Sequence, residues 1–114
     1  MNSGNKKITH DYRSPCPISR TLDLIGDKWS LLILRDMAYR KKTLFGDFHD
    51  SPENISTNIL SDRLKKLEAF GIVSKSIYQD NPVRYKYGLT SIGKELKPLI
   101  RSMIKWGNRY CREN

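Results

Sequence analysis

The sequence predicts a mainly helical domain that carries one small β-hairpin. Three observations lead there. Apolar residues recur at helical spacing in several segments separated by Gly, Pro and polar turn residues. Two runs rich in β-branched and aromatic residues, Ile72–Tyr78 and Arg84–Leu89, flank the turn Gln79-Asp-Asn-Pro-Val83. The 114 residues hold 21 Lys and Arg against 12 Asp and Glu, a formal net charge of +9. Such an excess suits a polyanion, either nucleic acid or an anionic membrane surface.

Residues 1–14 read as a flexible polar tail without the apolar core of a signal peptide, and residues 15–114 as one domain. Pro15 and Pro17 bracket Cys16 and suit the first turn of a helix, where a missing N–H would be unpaired anyway. That helix runs to Ile25, with Ile18, Leu22 and Ile25 on one face, and stops at Gly26. Asp27 is the expected N-cap of the next helix, Lys28 to about Tyr39. Its run from Trp29 to Leu34 is apolar on most sides and marks the central core helix. Arg40 to Thr43 form a basic connection. Leu44, Phe45 and Phe48 give a short helix ending near Asp50, and Ser51–Asn54 form a turn.

Ser56 caps the helix that matters most. Leu60, Leu64 and Leu67 share one face, with Ile59 and Phe70 beside them; Asn58, Ser61, Asp62 and Lys65 lie opposite, and Gly71 ends the helix. The hairpin follows at once. Thr90 caps a last helix whose apolar positions are Leu96, Leu99, Ile100, Met103, Ile104, Trp106 and Tyr110. They span roughly 160°, wider than the ~100° stripe of a helix lying on one core, so part of the arc is expected to pack on a second subunit. Pro98 is expected to kink this helix near Lys94. The order helix, helix, short helix, helix, strand, strand, helix is that of a winged helix-turn-helix. In that layout residues 56–70 enter a DNA major groove and the hairpin, or wing, reaches the flanking backbone.

The chain also resembles the HxlR-type transcriptional regulators, a MarR-related winged-helix family. The resemblance rests on Cys16-Pro-Ile-Ser-Arg-Thr-Leu22, Ile25-Gly-Asp-Lys-Trp29, Leu32-Ile-Leu-Arg35, Phe45-Gly-Asp-Phe48, Ile55-Ser56 and Leu60-Ser-Asp-Arg-Leu64. It continues through Leu67-Glu68, Gly71-Ile-Val73, Arg84-Tyr-Lys-Tyr87, Leu89-Thr90, Gly93 and Trp106-Gly107. The Cys-Pro start followed by Gly-Asp-Lys-Trp is the most specific part. The resemblance implies a homodimer on a palindromic operator, dimerised through the N- and C-terminal helices. On this chain that assigns Ile18, Leu22, Leu99, Met103, Trp106 and Tyr110 to the dimer interface. It further implies sensing of electrophiles or oxidants at the cysteine matching Cys16.

Ser56, Thr57, Asn58, Ser61 and Lys65 are the expected DNA-facing residues of the key helix, since Asn can read adenine and Lys can read guanine or hold phosphate. Arg63 falls beside the leucines and is expected to pair with a carboxylate or reach a phosphate rather than read a base. Asp62 would repel phosphate and reads as a helix-network residue or a cytosine reader. The wing offers Lys75, Arg84, Tyr85 and Lys86, with Arg84 on the backbone or minor groove and Tyr85 supporting it. Lys42 and Thr43, with Arg40 and Lys41, are expected phosphate contacts, which supply affinity without sequence information.

Cys16 sits at a helix N-terminus, which stabilises thiolate, with Arg20 one turn on; the alternative is a small buried residue. Cys111 reads as structural. His10, His49, Cys16 and Cys111 lack metal-site spacing, and no motif implies a cofactor. Without a phosphate loop, nucleophile motif or paired carboxylates, no enzymatic activity is expected. No apolar run approaches the ~18 residues of a membrane span, so a soluble, cytoplasmic protein is expected, with a small molecule or electrophile as inducer. Two rival readings are a winged helix used only for protein contacts and an RNA-binding module. Fold does not fix function, but the polar helix face and charged wing favour DNA, and the deep, narrow RNA major groove excludes a recognition helix.

Overall fold

The structure, a computed structural model, describes residues 7–113. Helices α1 (Pro17–Ile25) and α2 (Ser30–Tyr39) are followed by a 3-10 helix (Phe45–Asp50) and α3 (Thr57–Ala69). Then come the antiparallel strands β1 (Val73–Asp80) and β2 (Val83–Leu89), α4 (Ser91–Lys94) and α5 (Lys97–Tyr110). Leu44 adds an isolated antiparallel bridge to Lys86 on the outer side of β2. This is a winged helix-turn-helix. Its core gathers Ile33 and Leu34 of α2, Phe48 of the 3-10 helix, Leu60, Leu64 and Leu67 of α3, and Ile72 and Val73 where the hairpin begins. Each such side chain contributes roughly 1.5–3 kcal/mol by leaving water.

The hairpin leaves α3 through a glycine turn. Gly71 adopts φ 77, its N–H donates to the Glu68 carbonyl at 2.9 Å, and the Ile72 N–H donates to the Leu67 carbonyl at 3.0 Å. These two bonds satisfy carbonyls that a helix end leaves open, and the left-handed turn between them favours glycine. Thr90 then ties the far end of the hairpin to the same point: its hydroxyl lies 2.5 Å from the Gly71 carbonyl and 3.1 Å from that of Ile72, and accepts from the Gly93 N–H. Gly93 approaches so closely that a Cβ there would sit 2.2 Å from the Ile72 carbonyl oxygen.

Four details differ from expectation. Helix α2 begins at Ser30, not Lys28, because the Asp27 carboxylate accepts from the Trp29 and Ser30 N–H groups, both at 3.0 Å, and holds residues 28–29 as a turn. The strands run closer to the tip than expected, since Asn81 and Pro82 alone close the loop, through a cis peptide bond. The last helix is broken rather than kinked. Proline has no N–H to donate and its ring collides with the carbonyl four residues back, at Lys94. The chain therefore ends α4 at Lys94 and restarts so that Pro98 falls in the first turn of α5.

The fourth difference is at the N-terminus. Residues 1–6 of the expected tail lie outside the described residues. Residues 7–14 pack on the domain: Ile8 lies against the core, the His10 ring meets Phe70 edge-on at 5.4 Å, and Arg13 pairs with Asp23 at 2.7 Å. One apolar residue with a histidine and an arginine is enough to anchor a segment that otherwise reads as polar. Among the described residues no helix is long and apolar enough to cross a membrane.

Candidate DNA-binding interface

Helix α3 is held at both ends and along its flank. At its start the Ser56 hydroxyl accepts from the Ile59 N–H at 3.2 Å. The His49 ring bridges the Ile55 carbonyl, at 3.2 Å, and the Thr57 hydroxyl, at 3.5 Å. On its flank Arg63 Nε donates to Asp27 at 2.8 Å, joining α3 to the start of α2. Partial burial pushes the Asp27 carboxyl up, but the Ser30 hydroxyl, Arg63 and the Trp29 and Ser30 amides outweigh it and hold it at about 2. Arg63 also pairs with Asp62, which Lys66 approaches at 3.4 Å. The acidic group on the polar face is thus neutralised by its own helix.

Held this way, α3 buries its leucines and turns Thr57, Asn58 and Lys65 fully outward, with Ser61 half-buried. The structure sets two other predicted contacts beside one another. The Tyr87 N–H donates to the Thr43 carbonyl at 2.7 Å, so Thr43 lies against β2 and its cations. Arg84 and Lys86 are exposed, and with Lys65 they form no ion pair among the described residues.

Three predicted residues sit differently from the simple picture. Lys42 is half-buried and its ammonium donates to the Ser51 hydroxyl at 3.2 Å. Lys75 lies 4.5 Å from the Tyr85 ring centroid and 4.0 Å from the Glu68 carboxylate. Tyr85 therefore supports Lys75 instead of Arg84, because neighbouring strand residues point to opposite faces.

Cys16 is exposed in the N-cap position of α1. The amides of Ser19 and Ile18 lower its thiol below the ordinary value; slight desolvation opposes them, and the nearby Arg20 charge assists. Cys111 is exposed beyond α5. Among the described residues no group of His, Cys, Asp and Glu is arranged to hold a metal ion.

A second surface lies on α1 and α5. Ile18, Leu22, Leu99 and Met103 line one groove of about 400 Å³, with Ile25 and Leu31 at its floor. Trp106 and Tyr110 continue along α5, exposed by 62% and 61%. A network that the sequence reading missed centres on Asp36, which is buried and bonded to Arg35 and Ser51. His49 was also missed, since it reads as an ordinary polar turn residue.

The profile of the HxlR-like helix-turn-helix family matches residues 24–114. The chain belongs to this family. It is 34% identical over 110 residues to the uncharacterized HTH-type transcriptional regulator YdeP of Bacillus subtilis, covering 93% of this chain and 85% of the relative. Among solved structures it is similar to the redox regulator HypR in its oxidized form, with a TM-score of 0.77 and 33% identity over 87% of this chain and all of that one. It is also similar to the reduced form of the regulator YodB from B. subtilis, with a TM-score of 0.67 and 28% identity over 87% and 97% of the two chains. This HxlR-like protein is thus a helix-turn-helix transcriptional regulator.

Proposed function

We propose that the protein acts in the cytoplasm as a homodimer on a palindromic operator, with α3 of each protomer in a major groove and the hairpin on the flanking backbone, and that it has no enzymatic activity. One observation carries this reading: a single small domain leaves two complementary surfaces unfilled. The cations and polar groups of α3 and the wing suit phosphates and base edges. The apolar groove of α1 and α5 suits a second copy of itself, as in a two-fold dimer. The half-sites then lie about one helical turn apart, ~34–36 Å.

Cys16 is the regulatory group in this reading. An exposed, helix-capping thiol with a lowered pKa holds more thiolate at a given pH than a free cysteine. The thiolate adds to the ring C=C bond of a quinone; the π electron pair moves onto the carbonyl oxygen, which takes a proton from water, and a hydroquinone thioether is left on Cys16. Cys16 directly precedes α1, whose Ile18 and Leu22 line the dimer groove. The adduct thus favours one spacing of the two α3 helices over another, which is the differential affinity that regulation requires. Kinship to HypR and YodB, solved in redox-treated forms, supports testing this thiol first.

Titration against DNA from upstream of the protein's own gene and of its neighbours, beside random duplex at several salt concentrations, tests the operator. Binding of one palindromic fragment beyond ~10³-fold over random DNA establishes it; equal, steeply salt-dependent binding to every fragment refutes it. A quinone is expected to weaken operator binding by wild-type protein but not by Cys16→Ser. An equal response of both would remove Cys16 from the reading.

A further inference from the structure

Asp36 lies in the middle of α2 at 2% exposure. A carboxylate so buried is costly unless its oxygens are compensated, so its partners are informative. Arg35 Nε donates to Oδ1 at 3.0 Å, Arg40 Nη1 stands 3.5 Å from the same oxygen, and the Ser51 hydroxyl donates a short bond to Oδ2. Ser51 has one proton to give. With it committed to Asp36, a lone pair is left to receive the Lys42 ammonium at 3.2 Å. The Asp36 main-chain carbonyl accepts from the Arg40 and Lys42 N–H groups, both at 3.1 Å. Lys42 is therefore held by Asp36 at its backbone and, through Ser51, at its side chain. Arg35 meanwhile grips Glu53 through both terminal nitrogens, each at 2.9 Å.

Two chain segments meet in this cluster: residues 40–43 before the 3-10 helix and residues 51–54 before α3. Each contains a non-glycine residue in the left-handed region, Lys41 at φ 53 and Asn54 at φ 57. Such conformations cluster at functional sites and persist where the surroundings over-determine them. The bonds to Asp36, Ser51 and Glu53 are those surroundings. The same two segments carry Lys42 and Thr43 on one side and lead into Ser56 and Thr57 on the other.

We propose that Asp36 is a positioning residue for DNA binding: through Ser51, Arg35 and Glu53 it locks residues 40–43 and 51–54 into one platform, so that Lys42, Thr43 and the N-terminus of α3 meet the DNA backbone in register. This rests on the operator reading above and adds a residue that itself touches no DNA.

Specific operator binding by the wild-type protein establishes the operator reading before any variant is made; the variants then address Asp36 alone. Ser51→Ala removes one hydroxyl, and Asp36→Asn keeps the shape of the side chain but not its charge. Each is expected to lower operator affinity about tenfold while leaving circular dichroism and sedimentation unchanged. Each also makes the slope of log affinity against log salt shallower by about one phosphate contact, which partial unfolding does not do. In a Lys42→Ala background the further loss from Ser51→Ala shrinks, because both changes remove the same contact. If Asp36→Asn does not fold, Ser51→Ala carries the test. Wild-type slopes, or fully additive losses in the double variant, overturn the proposal.

Discussion

Helices α3 and α5 are of similar length and both amphipathic, yet they are finished differently. In α3 the leucine face is consumed by the domain, with Leu60, Leu64 and Leu67 exposed by 2% or less. Its flank is ion-paired to Asp27, and apart from Ala69 the residues left exposed are polar or charged, the acidic Asp62 among them. In α5 Ile100 alone is buried, while Met103, Trp106 and Tyr110 stay at least half exposed. Monomeric proteins seldom leave so continuous an apolar strip in water. One helix has covered its apolar face and presents polar and charged groups; the other leaves most of its apolar arc uncovered. The two helices thus share one kind of sequence pattern, and what tells them apart is how much of the apolar arc the chain's own core covers.

The comparison breaks most sharply in the core. Leu64→Ala is expected to destabilise the fold by about 2–5 kcal/mol, read by chemical denaturation, because its side chain is enclosed by the domain itself. Trp106→Ala is expected to leave the folded protomer intact and weaken dimerisation by about 2 kcal/mol, roughly 30-fold, in sedimentation equilibrium. A dimer unaffected by it would move the interface off this face. Lys65→Ala and Arg84→Ala, folded and dimeric, are each expected to reduce the salt slope of DNA binding by about one.

The smallest effect concerns pH. Asp27 is held at about 2 in the folded state, below the ~3.9 of an unfolded aspartate, so its contribution is complete above about pH 4 and is lost as pH falls through 2. Asp27 is half-buried, and the water that still reaches it screens the charge, so the change is small. Asp27→Asn should flatten that part of the stability profile, and an unchanged profile would show that the Arg63 pair does not couple α3 to α2.

Much of this was legible beforehand. Ser56, the leucine spacing and Gly71 marked α3 to within a residue or so, since cap, periodicity and stop are local signals. The hairpin was legible but its tip was not, because a two-residue closure at Asn81–Pro82 reads in sequence like a longer polar turn. Pro98 announced a disturbance of the last helix, although not that the chain would divide it into α4 and α5. The Asp36 network left little trace. In the sequence Asp36 is one charge beside Arg35 and one turn before Arg40, but Ser51 and Lys42 lie beyond any periodic relation to it. Ion pairs between distant segments obey no spacing rule, so the fold has to be in hand before they can be seen. For the site, the outward face of α3 followed from helical angle alone, whereas the inward turn of Lys42 and the pairing of Lys75 with Tyr85 depended on neighbours brought together by folding.

Gly93 supplies an internal reference for experiments on a library of all single substitutions. Any side chain there meets the Ile72 carbonyl oxygen at 2.2 Å, with backbone on both sides of the collision. Cells carrying such variants are expected to lack the protein, so their abundance score fixes the floor of the screen. A variant at exposed Asn58 or Arg84 that matches that floor in reporter output, yet stays abundant, has lost an encounter with DNA and not its shape.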